Sequence, residues 1–303
     1  MSISASRKRN AVILAEVIVV IGIIVTLIGL LIPATMQVRE IANRSTCGNN
    51  LKQIALAFQL HHDVFHVVPS NGGGMFPKLQ IPGKDGSPFV PTTIEYPPPQ
   101  RLVKWYGVGD PNKTPTTQTG SWAYAILPYI EQGSAYNARD WTQGVRGYAC
   151  PSRRTANPQL AVNDEYGEYI GGGWLWGKTD YAANSWFVWG RPYCFRFSRV
   201  TDGLSQTVLA GEKAVNSKAY NTGSWYYDEP YFLGGSYGTW RGGTLIVRDQ
   251  PTVTYLQHWG AAHPGGALFA FIDGSVRLLS YSTPDSTMKA LLTPRGGEVI
   301  GEF

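Results

Sequence analysis

The stretch AVILAEVIVVIGIIVTLIGLLIP, Ala11 to Pro33, decides how this chain is built. Between Val12 and Ile32 the single charged residue is Glu16; the rest are aliphatic residues, Ala, Gly and one Thr. At about 1.5 Å rise per residue the run spans roughly 31 Å, the thickness of a bilayer's hydrocarbon core. It therefore reads as a membrane-spanning helix. Glu16 is the fault in the pattern, because a carboxylate in hydrocarbon costs about 2–3 kcal/mol even on lenient insertion scales and so marks function. Pro33 removes the hydrogen bond to the carbonyl of Gly29, where the missing side chain leaves room for the ring, and this predicts a flexible joint.

Upstream stand Arg7, Lys8 and Arg9, then Asn10 and the small residue Ala11. A basic leader, a small residue, and a Glu five positions on inside an apolar helix resemble a type IV prepilin N-terminus. The resemblance implies that a prepilin peptidase cuts between Ala11 and Val12 and methylates the new amine. Glu16 then becomes the fifth mature residue, and during assembly its carboxylate would pair with the N-terminal ammonium of a neighbouring pilin-like subunit. The family prefers Gly before the cut and Phe after it; Ala11 remains small enough for a tight subsite.

Composition supports an exported body. Charged residues make up 16 %, against 35 Gly, 10 Trp and 17 Tyr, a β-rich and loop-rich profile. The net charge is +5, but three of the 26 basic groups lie in the leader; without them the balance against 21 acidic groups is +2, so nucleic acid is not an expected partner. The positive-inside rule keeps the leader cytoplasmic. The expected location is single-pass in the inner membrane, with a periplasmic or otherwise extracytoplasmic C-terminal domain that reaches the cell surface if assembled.

Beyond Pro33, Cys47, Leu51, Ile54, Ala55, Phe58 and His62 follow helical i, i+3, i+4 spacing, so the helix is expected to continue to about Phe65, with a break or bend possible near Gly48. The predicted organisation is a leader (1–11), a transmembrane half (12–33) and an amphipathic half (34–65) of one spine helix, then a β-rich domain (66–303). The fold class is α+β, pilin-like: a spine helix packed on an antiparallel sheet with loop-rich insertions such as 71–121. A short helix is expected over 121–137, ending near Gly133. Strands are expected in 171–197 and after Asp202-Gly203, and a hairpin is expected from 244–248 and 252–257. ALFAFI and SVRLLS flank Asp273-Gly274, which predicts a two-residue hairpin turn with positive φ at both positions. A short helix around Met288–Leu292 and a closing strand complete the tail.

His263, nine residues, then Asp273-Gly274, together with CGNNLKQIALAF (47–58), ACPS (149–152), TDYAAN (179–184), TDGLSQTVLAGE (201–212) and TPRGGEVIGEF (293–303), resemble a large bacterial family of prepilin-like proteins with a C-terminal domain of unknown function. The resemblance spans essentially the whole chain. It implies a pseudopilin- or minor-pilin-like component of a type II secretion or type IV pilus-like system, and no established activity.

Candidate chemistry is sparse. His263 and Asp273 could share a proton or an ion, but Asp273 sits in the expected turn, about 30 Å along an extended strand, which favours structural roles. His62 and His66 have zinc-like spacing without a third ligand, and Asp202, Glu212 and Asp273 form no dense calcium loop, so no metal and no cofactor are assigned. Three cysteines allow one bridge; Cys47–Cys150 is the preferred pair, and Cys194 is an alternative partner for either. No G-x-S-x-G, P-loop, Rossmann or HExxH pattern occurs, so an enzyme is not expected. Trp174, Trp176, Trp186 and Trp189 could stack on a surface polysaccharide, which gives the alternative of a membrane-anchored carbohydrate-binding module that never polymerises; core packing is the competing use of the same residues.

Overall fold

A computed structural model of the protein describes residues 3–74, 76, 78–96, 102–251 and 256–298, and of residues 3–19 the backbone alone. The chain divides into two compact units, Met1–Ser45 and Thr46–Phe303. A single helix, α1 (Ile3–Phe65), supplies the first unit and enters the second. Among the described residues it is the one helix long and apolar enough to cross a membrane: an 18-residue window has a mean hydropathy of 2.2 and none of it is buried. The helix passes through Pro33 and Gly48 without interruption. No break occurs at Gly48, because Cys47 and Leu51 on either side of it are fully buried and that packing outweighs the glycine's cost of about 1 kcal/mol. At the C-terminus His66 takes φ +59° and donates its N–H to the His62 carbonyl at 2.7 Å, which closes the helix.

The second unit is organised by a five-stranded sheet of β1 (Tyr181–Asn184), β2 (Val208–Glu212), β3 (Trp240–Arg241), β4 (Gly266–Phe271) and β5 (Val276–Ser280), in the order β3-β1-β2-β4-β5. Four strands run antiparallel to their neighbours and β3 pairs parallel with β1, so the architecture is α+β. Alternation along β4 sends its side chains into two cores. Leu268, Ala270 and Ile272 join Cys47, Leu51, Ile54 and Phe58 of α1, while Ala267, Phe269 and Phe271 join Met288, Leu291 and Leu292 of the helix Asp285–Leu292. The apolar run ALFAFI is therefore a strand covered on both faces.

Several local expectations are corrected. The β4–β5 turn is a three-residue loop, with Gly274 N–H on the Phe271 carbonyl (2.9 Å) and Phe271 N–H on the Ser275 carbonyl (2.8 Å). Gly274 has φ +85° and Asp273 has no positive φ. Asp273 Oδ1 accepts from both the N–H and the hydroxyl of Ser275, and the Ile272 and Asp273 N–H groups bond to Thr207 and Leu204, which pins the wider loop. The expected helix over 121–137 is three pieces, Trp122–Ala125, Leu127–Ile130 and Gly133–Ala138, because Glu131 adopts a left-handed φ of +62°. Ile246–Arg248 pairs in parallel with Trp259–Ala261, so it is not half of a hairpin with 252–257, of which 252–255 lie outside the described residues. Within 171–197 the strands are confined to Leu175–Trp176 and Tyr181–Asn184. The closing strand expected at the C-terminus falls largely in 299–303, also outside the described residues.

Candidate functional site

Four chemically active side chains from four places in the sequence meet beneath α1. Cys47 lies on the buried face of that helix, and Cys150 follows the turn Arg146–Tyr148 and the extended Ala149, directly before Pro151. Glu212 ends the central strand β2, and His263 lies three residues before β4. All four are fully buried. Their ligating atoms all lie within 4.8 Å of one another. Cys47 Sγ is 3.0 Å from Cys150 Sγ, Cys150 Sγ is 3.6 Å from His263 Nε2, and that nitrogen is 3.2 Å from Glu212 Oε1.

Each member is held from behind. The Cys150 N–H donates to Asp180 Oδ2 at 2.7 Å, while its carbonyl accepts from the N–H groups of Arg153 and Arg154. Asn50, one turn after Cys47, donates from Nδ2 to the Ala149 carbonyl and to the Tyr181 hydroxyl, which ties the helix to the Cys150 loop. Glu212 Oε2 accepts the Leu268 N–H at 2.9 Å, and the Tyr281 hydroxyl donates to the His263 carbonyl at 2.7 Å.

The electrostatics follow from burial and proximity. The hydrogen bond from Cys47, and then burial, push the Cys150 thiol up from its ordinary range. Burial works against a charged His263, but its bonds to Cys150 and Glu212 outweigh that and push it up to about 11. The residues therefore form two thiols beside an imidazolium–carboxylate pair. Full enclosure means that nothing larger than an ion reaches them.

Adjacent to this cluster is a buried ion network. Asp228 receives Arg154 (2.6 and 2.9 Å), Lys178 (3.1 Å) and Lys213 (2.8 Å), and Arg153 binds Asp249 at 2.7 Å. Arg154 also reaches Asp180 at 2.7 Å, so the carboxylate that fixes Cys150 belongs to the network.

The sequence-assigned residues separate into distinct roles. Cys47 and Cys150, the preferred bridge, are neighbours and stand as free thiols; the half-buried Cys194 is elsewhere, on the wall of a groove. His263 and Asp273 are not partners, since Asp273 holds its own turn. Asp202 accepts the Gly296 and Gly297 N–H groups, so Asp202, Glu212 and Asp273 do not form one site. His62 stacks on Phe197 at 4.2 Å while His66 closes the helix. The side chains of Ala11, Val12 and Glu16 lie outside the described residues. The tryptophans form no common platform: Trp176 is fully buried against Trp141, and Trp174 meets the edge of that same ring. Trp186 and Trp189 line a separate groove of about 690 Å³ with Tyr193 and Arg199. Sequence reasoning named Cys47, Cys150, His263 and Glu212 for different purposes and missed their convergence; the one available signal was their residue type.

The fold and this cluster define a helix-led α+β protein with a buried Cys₂-Glu-His centre. Residues 36–286 match the model of a family described as "Protein of unknown function (DUF1559)", and the chain belongs to that family. No curated protein and no solved structure matches the chain.

Proposed function

We propose that the chain is an exported, membrane-anchored, pilin-like structural subunit of a type II secretion or type IV pilus-like machine, with no catalytic role of its own. The observation that carries this reading is α1 itself. One helix has an apolar stretch from Val20 onward of which none is buried, and a later part buried in the domain core. A subunit anchored through its helix needs both parts, one to enter the lipid and one to join the domain core. Family membership supports the same reading, and His263, Asp273 and Gly274 then stand as its C-terminal signature.

In this reading Arg7, Lys8 and Arg9 stay in the cytoplasm, prepilin peptidase acts at Ala11/Val12, and Glu16 is the assembly residue. Pro33 and Gly29 supply a joint between lipid and domain. The test is the first residue of protein recovered from membranes. An N-methylated Val12 is expected; an intact Met1 leader on the membrane-resident protein rejects processing. Glu16→Ala should leave the chain in the membrane yet unable to crosslink with sibling subunits.

A further inference from the structure

We propose that Cys47, Cys150, Glu212 and His263 form a structural zinc site that fastens the spine helix to the sheet. The donor set is two sulfurs, one imidazole nitrogen and one carboxylate oxygen, a combination that suits a soft-to-borderline divalent ion in tetrahedral coordination. With bonds of about 2.3 Å to sulfur and 2.0 Å to nitrogen and oxygen, a tetrahedron has edges of roughly 3.8 Å (S–S), 3.5 Å (S–N) and 3.3 Å (N–O). The observed separations are 3.0, 3.6 and 3.2 Å. Of these three edges two already match and the S–S edge needs the sulfurs to part by about 0.8 Å, within reach of small Cys side-chain rotations; the other three edges lie within 4.8 Å.

One further observation favours an ion over a disulfide. Glu212 Oε1 is buried, lies 3.2 Å from His263 Nε2 and meets no other donor; a bridge between the cysteines would add no contact to it, whereas a metal would bind it together with the sulfurs and the imidazole. Two thiol protons and the imidazolium proton leave as the ion enters. Four protein donors and full burial leave no open coordination position, the arrangement of a structural site.

Because its ligands come from α1, the Cys150 loop, β2 and the segment before β4, the ion would couple the helix to the sheet across segments distant in sequence. Asp180, which accepts the Cys150 N–H, and the Leu268 N–H on Glu212 Oε2 already hold two of the ligands from behind.

The experiment uses full-length protein extracted from membranes in detergent without chelator or reductant. Elemental analysis should find about one zinc per chain. Replacement by Co(II) should give tetrahedral visible bands and a near-ultraviolet thiolate charge-transfer band, a wild-type readout that needs no variant to fold. Cys47→Ser and His263→Ala should lose the zinc, and Cys194→Ser should keep it. Three results overturn the site: a Cys47–Cys150 disulfide in metal-free protein, zinc retained by both ligand variants, or a Co(II) spectrum without the thiolate band.

Discussion

Replacing Asp228 with Asn tests whether the buried ion network holds the domain together. The carboxylate is 3 % exposed and touches three cations within 3.1 Å. Asn keeps the shape and one acceptor oxygen but removes the charge and turns an NH₂ toward a cation. Removing one partner of a buried pair costs about 3–5 kcal/mol, chiefly because the remaining charge is stranded. Here Lys178 and Lys213 lose the carboxylate they share while Arg154 keeps Asp180, so the variant should lose at least about 3 kcal/mol. For a domain of this size each kcal/mol moves Tm by about 2–4 °C, so a fall of roughly 6–20 °C is expected in detergent-solubilised protein followed by tryptophan fluorescence. Lys213→Met in the Asp228→Asn background should recover part of the loss, with a coupling of about 1–3 kcal/mol. The pH profile carries the same signature. Burial raises the Asp228 carboxyl, but Arg154, Lys178 and Lys213 outweigh it and hold it well below 3.8. Its contribution is therefore complete above pH 3.8 and is lost only as pH falls through the depressed native value. A Tm change under about 2 °C, with an unaltered acid limb, would refute the reasoning.

Three other outcomes are expected. Burial lowers Lys213 from 10.5 to about 8, so its part in stability is fully present above pH 10.5 and is lost as pH falls to 8; Lys213→Met should flatten the wild-type rise between those values in urea titrations. In Gly211→Ala the added Cβ would lie 2.4 Å from Cδ1 of the buried Phe269, and a loss of about 1–3 kcal/mol is expected, whereas Gly133→Ala, with nothing within 4 Å, should be close to neutral. Trp176→Ala should cost about 3–5 kcal/mol and Trp186→Ala, 42 % exposed, under about 1 kcal/mol; equal effects in chemical denaturation would contradict the burial pattern.

What the sequence determined by itself was whatever a local pattern encodes. The apolar run from Val12 to Ile32, the i, i+3, i+4 stripe from Cys47 to Phe58 and the two apolar runs around Asp273-Gly274 each state their structure within a window of a few turns. The α+β class and the course of α1 followed from them. Tertiary contacts decided the details of closure: Thr207 and Leu204 hold the β4–β5 turn in its three-residue form, and burial of Cys47 and Leu51 carries the helix through Gly48. Above all they decided the site. Cys47 and Cys150 are 103 residues apart, and Cys150 and His263 a further 113. No periodicity spans such distances, and an isolated Cys, Glu or His looks the same whether it faces a core or another ligand. Their meeting exists because the helix stripe, the Asp180-anchored loop and the doubly covered strand β4 leave one shared interior, and only the packed chain defines that interior.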